Sequence, residues 1–332
     1  MKRKISILLA GLTLVAGLAV GCNENKEEIT VYMPDGAPAL ALAKLMAEDT
    51  KEDGVTYNVV PASLIASKVT SEDSEKNADL CVMPVTAASK LLGKGEKYVM
   101  LGAVTHGNLY LIAKEGEYDA QNLSSLIGKT VGVLQINEVP GLTFKTVLNA
   151  YQIPWQEVKN DGGMAEDKVN LLAITGPDAV GTVEADCFMI AEPAATAQSK
   201  KGYSIVGNLQ TLYDAEEGYP QAVLVAKKEL VENNAKWTKA FTSKVEGSAN
   251  WLQTASGEEI VAAVSAHMED KQTATSLKAP LLSSAVIARC GIRFTYAAAC
   301  KNEVNAFLTA MMAVNSKAAA MPLDAFYWTY TK

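Results

Sequence analysis

Short apolar runs alternate with polar turns along most of the chain. The first clear run, residues 29–33 of ITVYMPDGAPALALAKLMA, predicts a strand. Pro34-Asp35-Gly36 predicts a tight turn, with Pro fixing φ and Gly free to take a positive φ. Residues 37–47 are dense in strong helix formers and predict one helix, with Pro38 in its first turn. The same strand, turn, Pro and helix succession returns at 130–150, where Pro140 opens the helix.

Further strands are expected at 55–60, 78–83, 98–105, 109–113, 169–173, 185–190, 203–208 and 221–226. Helical stretches are expected at 63–70, 86–92, 176–183, 194–200, 231–252, 260–267, 279–289 and 301–314. Thr86 is a candidate cap for its helix, and Ser256-Gly257-Glu258-Glu259 reads as a capping box. Trp237 and Trp251 fit the helical repeat as core residues. Strands alternating with helices of this length predict an α/β protein. Residues 123–208 form a complete α/β unit inside the chain, with 221–226 as the strand that returns to the first unit.

The start of the chain has a different pattern. Lys2-Arg3-Lys4 precedes an apolar run at 5–20, and Leu18-Ala19-Val20-Gly21-Cys22 reads as a bacterial lipobox. This predicts a signal peptide at 1–21, lipidation of Cys22 and a polar tether at 22–28. The competing reading is an uncleaved anchor of minimal spanning length. Both place the remaining chain outside the cytoplasm, attached to a membrane. Removal of the leader takes three positive charges from a formal −7 and leaves −10. An acidic chain without basic clusters argues against nucleic acid.

Cys81 and Cys187 sit in apolar runs and are expected to be buried thiols. Cys290 and Cys300 flank GIRFTYAAA, a spacing that permits a local disulfide in an oxidising compartment. With only His106 and His267 present, and no Cys or His pair at metal-ligand spacing, neither a metal site nor a cofactor is expected.

The stretches MPDGAPALALAKLM, ADLCVMPVTAASKLLGKGEKYVMLGAVTHGNLYLIAK, LIGKTVGVL, EADCFMIAEPAATAQSK, YPQAVLVAKKEL, CGIRFTYAA and MPLDAFYW complete the picture. With the lipobox, they resemble the extracytoplasmic solute-binding lipoproteins of ABC importers. The resemblance is to the type II periplasmic-binding fold, in the group that binds sulfonates, nitrate and thiamine precursors. It implies a two-lobe α/β protein with a ligand cleft and two crossover strands. Lobe one would comprise 29–115 and 216–332, and lobe two 116–215. It implies a monomer that closes on a small organic ligand and delivers it to an ABC permease.

By position in that fold, lobe one would line the cleft with Asp35, Gly36, Ala37, Pro84, Val85, Thr86, Thr105, His106, Gly107 and Asn108. Lobe two would contribute Gln135, Asn137, Val139, Pro140, Glu192 and Pro193, with Tyr219 beside the returning strand and Tyr110 and Tyr213 as further stacking faces. The chain has only Arg3, Arg289 and Arg293, none of them in these turns. That argues against a guanidinium clamp on a carboxylate. Asp35, Glu138 and Glu192 then favour a neutral or cationic heterocycle over a sulfonate, unless they serve only as helix caps. His106 lacks a paired nucleophile, and no Ser lies in a G-x-S-x-G context, so no catalytic residue is expected. Two other readings remain: a surface adhesin or sensor, and an enzyme on the same fold.

Overall fold

The computed structural model describes residues 28–50, 54–114, 118, 122–160, 162–214 and 218–330. The expected leader and Cys22 lie outside the described residues, as do both expected lobe boundaries, 115/116 and 215/216. No helix among the described residues is long and apolar enough to cross a membrane.

Twelve strands form two six-stranded sheets. The first contains β1 (Ile29–Pro34), β2 (Val55–Val60), β3 (Leu80–Pro84), β4 (Tyr98–His106), β11 (Pro220–Lys227) and β12 (Ile292–Tyr296), in the order β12-β4-β11-β3-β1-β2. The second contains β5 (Leu109–Lys114), β6 (Thr130–Leu134), β7 (Trp155–Val158), β8 (Val169–Ile174), β9 (Cys187–Ala191) and β10 (Tyr203–Asn208), in the order β10-β5-β9-β6-β8-β7. Each sheet defines a lobe. β1 pairs in parallel with β2 and β3, and β6 with β8 and β9. β11 runs antiparallel to β3 and β4, and β5 antiparallel to β9 and β10. These two reversed strands are the ones that enter each lobe from the other. The expected division kept 109–113 in lobe one, whereas the pairing of β5 moves the first crossing to Gly107-Asn108.

The helices are α1 (Ala37–Leu40), α2 (Ala43–Ala47), α3 (Val85–Leu92), α4 (Val139–Ala150), α5 (Ala194–Ala197), α6 (Leu209–Leu212), α7 (Lys228–Asn233), α8 (Ala235–Leu252), α9 (Gly257–Ala266), α10 (Ser284–Arg289) and α11 (Ala297–Val314). The single helix expected at 37–47 is broken at Ala41-Leu42, where Leu42 leaves the helical region at φ −114°. Ala39 to Ala43 are all buried, so tertiary packing rather than helix propensity sets the backbone there. The stretch at 176–183 holds only a 3-10 turn, Pro177–Ala179. Thr86 caps nothing: α3 starts one residue earlier, with Pro84 at its N-cap. The capping box is present, with the Ser256 hydroxyl receiving Glu259 N–H and the Glu259 carboxylate receiving Ser256 N–H.

Strand periodicity sorts lobe one's side chains onto two faces. Leu80, Val82, Leu224 and Leu101 face a core under α8, α9 and α10. Cys81, Met83, Val223, Val225 and Met100 face a second core under α3 and α11, which continues into lobe two through Tyr219 and Phe307. Trp237 and Trp251 pack partly buried against the first core, Trp237 stacking on Phe241 at 5.1 Å. All four described cysteines are free and buried, so Cys290 and Cys300 form no disulfide. Cys290 ends α10 and Cys300 lies in α11, with β12 between them.

Candidate functional site

The parallel strands of both sheets end toward the junction of the lobes, and His106, Gly107 and Asn108 carry the chain across it. Asn108 accepts Glu192 N–H at 2.9 Å and donates its Nδ2 to the Glu192 carbonyl at 3.1 Å. The return crossing is tied to the first by Gln210. Its Oε1 accepts Leu109 N–H and the Tyr219 hydroxyl, both at 3.0 Å, and its Nε2 donates to Leu109 O and Asn208 Oδ1. Gln210 is buried, and sequence reasoning missed it because the partner that ties it to the first crossing, Leu109, lies 101 residues away.

Gly107 takes φ +65°, and Gly218, at φ +77°, comes so close that a Cβ there would sit 2.0 Å from the His106 carbonyl oxygen. The two crossings therefore touch backbone to backbone, an approach only glycine permits.

Glu192 follows β9, and its side chain is fully buried. Its Oε1 accepts Arg289 Nε at 2.7 Å and the Thr196 hydroxyl at 2.7 Å, while Oε2 accepts Thr196 N–H at 2.9 Å. Arg289 Nη2 also donates to Thr196 Oγ1 at 2.9 Å, and the Tyr110 hydroxyl donates to Arg289 O at 3.3 Å. Arg289 belongs to lobe one and its partners to lobe two. This corrects the expectation that no arginine reaches the cleft turns. Arg289 is distant in sequence from every strand end, and only the packing of α10 against the junction delivers its guanidinium there.

The second arginine, Arg293 on β12, lies close enough to His106 for its charge to act on the imidazole. Burial first, and then the Arg293 charge, lower the His106 pKa to about 3. His106 is therefore a neutral side chain at physiological pH, poorly suited to general-base work. Its Nε2 lies 3.3 Å from Thr295 Oγ1, which receives Arg293 Nε at 3.4 Å. His106 Nδ1 and Asn108 Oδ1 are buried and without a hydrogen-bond partner among the described residues. Two such atoms either side of Gly107 mark a place where polar chemistry is available.

The other expected residues are distributed unevenly. Asp35 bonds the Thr275 hydroxyl at 2.5 Å and Ser276 N–H at 2.7 Å, so it fastens the 275–277 loop to the turn after β1. Gly36 follows at φ +93°, and Ala37 is buried in α1. Pro84, Val85 and Thr86 form the start of α3, with Val85 and Thr86 buried. Thr105 is buried within β4, paired to Ala222 and Ile292. Gln135 and Asn137 are exposed in the turn before α4, and Val139 and Pro140 are buried at its start. Asn137 receives Lys145 Nζ at 3.3 Å. Pro193 follows a cis peptide bond. Tyr219 is not an open stacking face: it is buried, parallel to Phe307 at 5.1 Å and against Tyr213 at 5.0 Å.

Two concavities stand out elsewhere, on lobe one: a water-sized cavity of about 20 Å³ beside Asp49, Tyr57 and Lys244, and an open depression along residues 232–237. Neither lies between the sheets. Among the described residues, no cluster of His, Cys, Asp and Glu suits a metal.

No protein-family model and no curated relative matches the chain. Solved structures do. An ABC transporter protein from Parabacteroides distasonis is 19% identical with a TM-score of 0.71, over 92% of this chain and 100% of that one. The periplasmic aliphatic sulphonate-binding protein SsuA of Escherichia coli is 15% identical with a TM-score of 0.62, over 92% and 93%. The ligand-binding component of an ABC-type import system from Staphylococcus aureus, solved with zinc bound, is 12% identical with a TM-score of 0.55, over 90% and 97%. These likenesses establish the fold: the chain has the two-lobe α/β architecture of the substrate-binding components of ABC importers.

Proposed function

We propose that the chain is an extracytoplasmic lipoprotein, anchored through Cys22, that binds a small organic solute between its lobes and hands it to an ABC permease. The observation that carries this reading is the junction itself. Two strand crossings, pinned together by Gln210 and by glycines in contact, join the lobes, and α11 of lobe one packs on α4 of lobe two beside them. Buried His106 Nδ1 and Asn108 Oδ1 remain unpartnered at the first crossing. The solute would meet the turns after β1, β3, β4, β6 and β9, among them Gly36, Thr86, His106, Asn108, Gln135, Asn137 and Glu192. Asn108 Oδ1 calls for a hydrogen-bond donor on the solute. Arg289 and Arg293 at the junction remove the argument against an anionic group that the sequence suggested, so sulfonates and carboxylates stand beside neutral and cationic heterocycles. His106, held neutral, supports binding rather than turnover.

A thermal-shift screen of the mature chain against heterocycles, sulfonates, carboxylates and small anions tests the reading. A true ligand at about a hundredfold excess over its Kd adds about 2.7 kcal/mol to stability. The shift should be lost in Asn108→Ala. A panel without any shift, on protein unfolded and refolded to strip bound solute, would sink it.

A further inference from the structure

An apolar and basic patch lies at the end of lobe one away from the lobe junction. α3 starts at the carboxyl end of β3 and returns along the sheet, so Leu91 lies near its far end. The C-terminal strap crosses the same place: Ala320 N–H reaches Ser89 Oγ at 3.3 Å, and Leu323 N–H reaches Gly93 O at 2.8 Å. Leu91, Met321 and Leu323 are 46%, 46% and 60% exposed there, unusual values for side chains that gain by burial.

Lysines surround them. Lys90, Lys94 and Lys97 are exposed and make no ion pair among the described residues. Four acids share the area: Asp324 is engaged by Lys301 at 2.8 Å and Glu232 by Lys228 at 3.9 Å, leaving Glu96 and Glu229 against three lysines. In a chain of formal charge −7, this local positive excess runs against the average. β1 runs parallel to β3, so Ile29, where the proposed tether joins the fold, lies at this same end of the lobe.

We propose that this patch rests on the anionic surface of the membrane that holds the protein. Leu91, Met321 and Leu323 enter the headgroup boundary, while Lys90, Lys94 and Lys97 meet lipid phosphates. The seven-residue tether expected at 22–28 spans at most about 25 Å when extended, which suits a lobe lying against its membrane. The choice of membrane rests on the lipoprotein reading above; the patch chemistry does not.

The test uses the lipoprotein purified from membranes and reconstituted in vesicles, with an environment-sensitive thiol dye on Leu323→Cys. The dye should select the new thiol, since the four described cysteines are buried. Tyr151→Cys, on lobe two, is the control. The prediction is a blue-shifted, brighter dye at 323 but not at 151, on vesicles with about a third anionic lipid. Each Lys→Glu change at 90, 94 or 97 should weaken the contact about fivefold or more, equivalent to about 1 kcal/mol per lysine. High salt should do the same. Equal signals at both positions, or none at 323, overturn the proposal. So does a signal that grows with protein concentration without lipid, which would mark a second copy as the occupant. Mass spectrometry of the N-terminus separately decides whether Cys22 carries lipid, so failure of the anchor and failure of the patch are told apart.

Discussion

Arg289 of lobe one and Glu192 of lobe two form an ion pair across the junction, Nε to Oε1 at 2.7 Å. The carboxylate is wholly buried, while the guanidinium keeps 35% exposure. Burial makes the pair asymmetric: removing the arginine strands a buried charge, whereas removing both charges does not.

Arg289→Ala should therefore destabilise the chain by about 2 kcal/mol. That is below the usual 3–5 kcal/mol for a broken buried pair, because solvent reaches Arg289. Glu192→Gln combined with Arg289→Ala should recover part of the loss. Urea denaturation of the single and double variants measures the coupling. Strict additivity would show that the two side chains do not act together.

His106 supplies a pH test. Its folded pKa is about 3, against the 6.5 of an ordinary imidazole, so the unfolded chain takes up the proton first as pH falls. Its contribution to stability is complete above about pH 6.5 and is lost toward pH 3, at up to about 1.4 kcal/mol per pH unit. In an imidazole NMR titration, with His106→Gln for assignment, the resonance should stay flat from pH 8 to about 4.5. A midpoint near 6 would show that the ring is not buried as described.

Gly291 tests the contact between the crossing and β12. It takes φ +63°, and a Cβ there would lie 2.3 Å from the Gly107 carbonyl oxygen. Left-handed backbone costs an alanine about 1–2 kcal/mol before any clash is counted. Gly291→Ala should cost about 3 kcal/mol or more in chemical denaturation, through strain and displaced backbone together. Gly202→Ala, at φ +81° with open space around it, should cost only the strain.

The cysteines give a redox prediction. Burial raises the Cys300 thiol to about 11 and those of Cys81, Cys187 and Cys290 higher still. A thiol reagent at pH 8 should leave all four unmodified in the folded chain and label them in denaturant. Reductant should not change the melting temperature. A drop on reduction would reveal a disulfide.

Much of the lobe pattern was legible because strands and helices alternate with distinct periods. The strands expected at 55–60 and 203–208 match β2 and β10 residue for residue. What the sequence concealed depended on distant partners. β7 (WQEV) is a four-residue edge strand, held by β8 alone. β12 (IRFTY) does alternate apolar and polar residues, but over only five positions, at a sheet edge with an irregular register on β4. The turns of the candidate site could be read from strand ends and glycines, but its cross-lobe chemistry could not. Arg289 showed only as a basic residue at a helix end, and Tyr219 as an aromatic near a returning strand. One reaches Glu192 and the other stacks on Phe307 through tertiary contacts that no local pattern records.

The central claim is that the lobes close on a small solute. Small-angle X-ray scattering of the mature chain, with and without a solute that raises its melting temperature, tests it most directly. The account predicts that the ligand-free ensemble has the larger radius of gyration, and that the solute contracts it toward the about 20 Å of a compact chain this size. It also predicts that the solute no longer contracts Asn108→Ala. A solute that stabilises the chain while leaving the radius unchanged, in both wild type and Asn108→Ala, would contradict binding by lobe closure.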